Sequence, residues 1–150
     1  MNYQKYQSKD FNQTQKSQQL RMPSKLIHRQ VSENALHSDF SLERKHPVSI
    51  VDLPALTINM TIGVLTAGGS SNKHRHSYET LIYVMKGNGF SMIEDLKIEW
   101  KAGDALYIPV WAWHQHFNLD EQMEAEYIAC ENALLLQNLG GLALREESDV

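Results

Sequence analysis

Residues 68–87 read GGSSNKHRHSYETLIYVMKG. Two histidines flank a single arginine, a run of alternating apolar residues follows, and glycines close the stretch at both ends. Residues two apart on an extended strand share a face, so His74 and His76 project together and Arg75 projects away from them. A second stretch, GDALYIPVWAWHQHFN at 103–118, repeats the arrangement with His114 and His116. Four of the seven histidines thus fall into two His-x-His pairs. Neutral imidazole suits iron, zinc, copper and nickel, and three such ligands leave coordination positions open for water, substrate or dioxygen. Lone histidines such as His28, His37 and His46 read instead as hydrogen-bonded structural or surface residues.

The sequence around these pairs consists of short runs rich in β-branched and aromatic residues, separated by Gly, Pro, Asn and Asp. The runs are VSIVDL (48–53), LTINMTIGVLT (56–66), ETLIYVMKG (79–87), GFSMI (89–93), LKIEW (96–100), DALYIPV (104–110), HQHFNL (114–119) and AEYIAC (125–130). Eight short strands with tight turns predict an all-β domain, either a closed barrel or a jelly roll, because both architectures deal with exposed strand edges. Residues 1–46 are expected to form a partly flexible, mostly irregular arm, Gln-rich over its first 20 residues, with a short helix or edge strand after that. Residues 47–130 are the barrel. Residues 131–150 form a tail in which ENALLLQNLGGLALREE predicts a short helix stopped by Gly140 and Gly141.

Composition narrows the function classes. A chain of 150 residues with 42% hydrophobic content has room for one core. The longest apolar runs, such as LIYVM at 81–85, fall far short of the roughly 20 residues that span a bilayer, and the first 20 residues lack an apolar leader core. A cytoplasmic protein without membrane association is expected. The single cysteine, Cys130, reads as a small buried apolar residue, in keeping with a reducing compartment. Fourteen basic against eighteen acidic residues give a net charge of −4 and no electrostatic case for a nucleic-acid partner. The charge is uneven: residues 1–30 carry six basic groups and one acid, and residues 120–150 carry eight acids and Arg145. The two tails are therefore expected either to attract each other, within a chain or across a homodimer, or to remain solvated.

The two stretches resemble the motifs of the cupin superfamily. In the first, Gly68 is followed after five residues by His74-Arg75-His76 and then by Gly87; in the second, Gly103 precedes Pro109, His114 and Asn118. Trp111 stands where the family often has glycine. The resemblance covers about residues 48–130 and implies a small jelly-roll barrel with a metal inside. The usual cupin site adds a glutamate to three histidines, and counting back from Gly87 puts Thr80 at that place. Strand alternation agrees, because 74, 76, 78 and 80 share a face and Glu79 lies on the other. The expected metal ligands are His74, His76 and His114, with Glu79 as a fourth if a bulge turns it inward.

Within the superfamily, His-Arg-His followed by Thr80, together with Trp113-His114-x-His116 before Asn118, resembles the gentisate-type ring-cleaving dioxygenases. That resemblance implies non-haem Fe(II), with zinc, nickel or manganese as the alternatives, and a small aromatic or related organic acid as substrate. It makes His116 an acid/base or substrate-orienting group. Tyr78, on the ligand face, is the aromatic residue expected to donate a hydrogen bond to bound substrate or oxygen. Glu79 or His116 would move a proton if the metal acted instead as a Lewis acid in an isomerase, decarboxylase or hydrolase. A non-catalytic small-molecule-binding cupin is the third reading. The counter-charge for an acid substrate is sought in Arg29, Arg44 or a neighbouring subunit, since Arg75 points away.

Overall fold

A computed structural model describes residues 21–33 and 39–148. The expected arm of residues 1–20, His37 and the last two residues lie outside the described residues. The first helix, α1 (Asp39–Arg44), leads into ten strands and a second helix: β1 (Val48–Ile50), β2 (Asn59–Leu65), β3 (His74–His76), β4 (Thr80–Lys86), β5 (Asn88–Ile93), β6 (Leu96–Lys101), β7 (Ala105–Ile108), β8 (His114–Asn118), β9 (Ala125–Glu131), α2 (Ala133–Asn138) and β10 (Arg145–Glu147). They build two five-stranded antiparallel sheets, ordered β1-β2-β9-β4-β7 and β10-β3-β8-β5-β6. This is the all-β jelly roll expected, with a short C-terminal helix.

Alternation explains the packing. Along β4, Thr80, Ile82 and Val84 are buried while Leu81, Tyr83 and Met85 are exposed. Leu65, Ile82, Val84, Trp100, Leu106, Ile108, Ala125 and Ala129 meet between the sheets as one core. Each large apolar residue sealed there contributes about 1.5–3 kcal/mol. The turn at Gly87, with φ of +86°, also brings the backbone against Ala125, where an added Cβ would lie 2.7 Å from the Ala125 Cβ. Only glycine meets both demands.

Two strands have no counterpart among the expected runs. β3 has three residues, His-Arg-His, and little intrinsic strand preference; its place comes from pairing with β8 and β10. The tail contains the expected helix, broken at Gly140 and Gly141, both at positive φ. It then returns as β10, pairing Arg145 with His76 and Glu147 with His74. What reads as a helical tail therefore ends as the edge strand of the histidine sheet. None of the described helices is long and apolar enough to cross a membrane.

Candidate metal centre

β3 and β8 lie side by side with His74 opposite His114. Alternation then turns His74, His76, His114 and His116 to the inner face. The potential ligand atoms of His74, His76 and His114 all lie within 4.8 Å of one another. Their ring orientations are fixed by backbone carbonyls: Nδ1 of His74 donates to Asn72 at 2.8 Å, that of His76 to Tyr78 at 2.8 Å, and that of His114 to Ala112 at 2.9 Å. A carbonyl oxygen only accepts, so each Nδ1 carries the hydrogen and each Nε2 presents a lone pair. Burial, reinforced by the neighbouring His114, holds His74 well below the ordinary imidazole range, and holds His76 at about 4. Burial likewise holds His114 at about 4. Three neutral, converging and mutually close imidazole donors fit a divalent transition metal.

His116 is built differently. It is buried on the same face, and its Nδ1 meets the Ser91 hydroxyl at 2.7 Å. The Ser91 oxygen also accepts the Trp100 indole N–H at 2.9 Å. Because indole is only a donor and Ser91 is completely buried, the serine proton is best used on His116 Nδ1. His116 then carries its hydrogen on Nε2 and offers the cavity a donor, where the other three histidines offer acceptors.

A cavity of about 60 Å³ opens in front of the histidines, room for roughly four waters. Tyr78 stacks face to face on His76, with ring centres 4.0 Å apart. Burial and the nearby Glu131 push its phenol above the ordinary range. Tyr127 forms part of the wall, its ring seated over Gly63, where a Cβ would be 2.2 Å from the ring. Its hydroxyl bonds His46 Nε2 at 2.9 Å, and His46 Nδ1 reaches the Arg44 carbonyl, so His46 is hydrogen-bonded as expected and also lines the cavity.

Two groups on the wall were not among the expected site residues. Arg145 enters from β10 and pairs with Glu147, while its Nε is buried with no hydrogen-bond partner among the described residues. Glu131, the last residue of β9, accepts from Asn59 Nδ2 at 2.7 Å and Thr80 Oγ1 at 3.3 Å. Burial pushes its carboxyl upward. The signal for Glu131 was present: Ala125, Tyr127, Ala129 and Glu131 alternate on one strand face. For Arg145 there was none, because a three-residue polar strand carries no pattern.

The remaining sequence candidates are placed as follows. Arg44 lines the cavity, and Arg29 does not. Arg75 points outward, 4.6 Å over each of the Trp111 and Trp113 rings and bonded to Glu146 at 2.8 Å. Glu79 is exposed, accepts the Tyr107 hydroxyl at 2.9 Å and is not brought to the histidines. The register of β4 against β9 is regular from Thr80 to Val84, with its irregularity at the far end between Val84 and Lys86. Thr80 is 3% exposed and faces the cavity. Trp111, in place of the usual glycine, adopts φ of +64°. Asn118 clamps the loops, donating to the carbonyls of Leu65, Thr66 and Met123.

Residues 61–130 match the family model for the cupin domain. The barrel has the cupin fold. Over 64 residues the chain is 31% identical to a 5-aminosalicylate 1,2-dioxygenase of a Comamonas species, a match that covers 43% of this chain and 17% of that protein. Salicylate 1,2-dioxygenase from Pseudaminobacter salicylatoxidans superposes with a TM-score of 0.64 at 21% identity, over 71% of this chain and 32% of the enzyme. The same enzyme as an adduct with gentisate gives 0.63 at 15% identity, over 70% and 29%. A cupin 2 domain-containing protein from Halorhodospira halophila gives 0.54 at 17% identity, over 57% of this chain and 62% of that one. The cupin thus spans about a third or less of the dioxygenases it matches.

Proposed function

We propose that this cupin is a non-haem Fe(II) dioxygenase acting on a small aromatic or related organic acid. The observation that carries the proposal is the charge of the ligand set: three imidazoles held neutral, with no carboxylate among them. Such a set leaves a divalent ion its full charge, so an acid binding through its oxygens is attracted more strongly than at a site already holding glutamate. Arg44 and Arg145 add positive charge to the same cavity and supply the counter-charge for an acid. The partial identity to a 5-aminosalicylate dioxygenase supports the same class.

When bound, Fe(II) supplies open positions for the acid's oxygens and for dioxygen. The chain's own residues bind and orient. Arg145 brings its guanidinium to the cavity wall, and a guanidinium is matched in shape to a carboxylate. Tyr78, held flat against His76, positions a phenol to donate to a bound oxygen. His116 holds a proton on Nε2, fixed there by the Trp100–Ser91 relay. Glu79, on the outer face, takes no part.

The test combines elemental analysis of protein purified without chelator or nickel resin with oxygen uptake on hydroxylated aromatic acids. About one iron per chain and uptake with at least one acid are expected. Zinc, nickel or manganese at that level, without uptake, would replace the proposal with Lewis-acid chemistry; ligand-induced stabilisation without turnover would replace it with a binding module.

We further propose that the protein is a homodimer. Met60, Leu81, Tyr83 and Tyr107 form an exposed apolar face across β2, β4 and β7, and a second copy would cover it. Sedimentation should show a dimer for the native chain and a monomer for Tyr83→Asp.

A further inference from the structure

The wall of the metal cavity contains a hydrogen-bonded pair that also reaches the outside of the barrel. Tyr127 on β9 and His46, in the link between α1 and β1, both line the cavity. His46 in addition lines a separate surface recess of about 230 Å³, together with Ser41, Leu42, Lys45 and Pro47. Its half-buried imidazole is therefore a partition, with the histidine cavity on one side and solvent on the other.

The direction of the bonds through this partition is fixed. The Arg44 carbonyl can only accept, so the His46 Nδ1 that meets it at 2.9 Å carries the hydrogen and Nε2 is left with a lone pair. The Tyr127 hydroxyl, 2.9 Å from Nε2, must then donate to it. The phenol oxygen keeps its own lone pairs and has no second partner among the described residues. The pair thus accepts at its cavity end and has a base directly behind the acceptor. The other bases on the wall are engaged: His74, His76 and His114 converge on the metal position, and Glu131 accepts from Asn59 and Thr80.

The surroundings of His46 suit passage of a proton and not its storage. Burial, and then the guanidiniums of Arg44 and Arg145, disfavour an imidazolium there against the support of the Arg44 carbonyl and Glu147, and hold His46 below its ordinary range. A proton that arrives at Nε2 is passed on.

We infer that Tyr127 and His46 form a proton relay that carries the proton of the substrate's metal-binding hydroxyl out of the cavity to solvent. The inference rests on the proposed function, since it takes an acid with a hydroxyl oxygen among those that meet the metal. Such a hydroxyl gives up its proton far more readily beside a divalent ion than in water. The substrate O–H bond breaks as an O–H bond forms on Tyr127, and the hydrogen that Tyr127 held moves to His46 Nε2. The imidazolium then returns to the neutral form by releasing a proton to water in the outer recess. No electrons are exchanged, and Tyr127 ends as it began.

The experiment is stopped-flow mixing of the zinc-loaded full chain with salicylate or gentisate, in which an indicator dye reads proton release and the fluorescence of the acid reads binding. The native protein should release about one proton per acid bound, in step with binding. Tyr127→Phe removes the link, and His46→Gln keeps an acceptor for Tyr127 that cannot take its proton. In both, release should lag behind binding by about 10-fold or more while affinity stays within about 3-fold of native. His46→Ala, which opens room for a free base, should lag in the same way and recover when imidazole is added, a rescue that a merely structural role would not give. It also serves if the Gln variant does not fold. Each variant is first checked for retention of zinc. Release in step with binding in the zinc-retaining variants, or binding by the native protein without proton release, would overturn the relay and leave the metal-and-acid reading intact. Failure of the native protein to bind either acid would overturn both.

Discussion

The two inner walls of the barrel differ in how their chemistry is assembled. The histidine wall takes four groups from two strands, each strand giving two residues with one between them. The opposite wall takes Asn59, Glu131 and Thr80 from three strands, one residue each, and only the sheet register makes them a unit. The first kind of site can be read from a short stretch of sequence; the second exists only after folding. The walls also differ in protonic character, since burial favours the neutral form on both and so lowers the imidazoles while raising the Glu131 carboxyl.

The comparison breaks most completely at His114. Replacing it with alanine removes one of three donors, and the variant should retain less than about a tenth of the native metal and lose turnover by about 100-fold or more, as read by elemental analysis and oxygen uptake. An unchanged metal content would take His114 out of the ligand set. His116→Ala sharpens the contrast within the same wall. It should keep its metal and slow turnover by about 100-fold, the size expected for loss of a positioned proton donor. Metal loss there would make His116 a ligand and dissolve its distinction from the other three.

Acid should separate the walls in metal-free protein. His76 and His114 sit near 4 in the fold against 6.5 when unfolded. Groups with depressed values favour the fold fully above 6.5, and that contribution is lost as the pH falls toward 4, because the unfolded chain then binds protons the fold refuses. After chelation the melting temperature should therefore drop through that window, and less steeply in His114→Ala. Metal should flatten the curve by holding the imidazoles deprotonated.

The same difference accounts for what the sequence revealed. His74, His76, His114 and His116 were legible because a period of two brings them together with no knowledge of the fold. Thr80 could be placed inward and Glu79 outward for the same reason. Glu131 lay one residue past the point where the apolar run AEYIAC ends, so its inward alternation was hidden by its charge. Arg145 was invisible: it sits in an acidic tail and reaches the cavity only because β10 pairs with β3, a contact between residues about 70 apart. Long-range pairing of short polar strands leaves no local pattern to read.

The link between the walls offers a subtler test. Trp111 lies in the turn that carries the chain from β7 in one sheet to β8 in the other, at a φ of +64° that costs a non-glycine residue about 1–2 kcal/mol. Glycine would relieve that strain, but it forfeits the stacking of Arg75, about 0.5–1 kcal/mol, and adds about 0.5–1 kcal/mol of unfolded-state entropy. The terms nearly cancel, so Trp111→Gly should unfold within about 1 kcal/mol of the native protein and keep its metal. Trp111→Val, with the strain retained and the stacking gone, should be clearly less stable in denaturant titration.

The smallest effect is expected at Glu79, where one step along β4 separates the inside of the barrel from the outside. Thr80 faces the cavity and bonds Glu131, while Glu79 faces solvent and accepts the Tyr107 hydroxyl. Glutamine keeps that acceptor and removes only an exposed charge. Glu79→Gln should therefore hold the native metal content, turn over within about twofold of the native rate and shift stability by no more than about 0.5 kcal/mol. A fall in metal content would require the carboxylate to reach the histidines, which strand alternation forbids unless the chain bulges between His76 and Thr80. Such a bulge would have to leave Thr80 opposite Glu131, since the β4–β9 ladder starts at that pair. The substitution thus probes whether the turn before β4 is as rigid as the ladder after it.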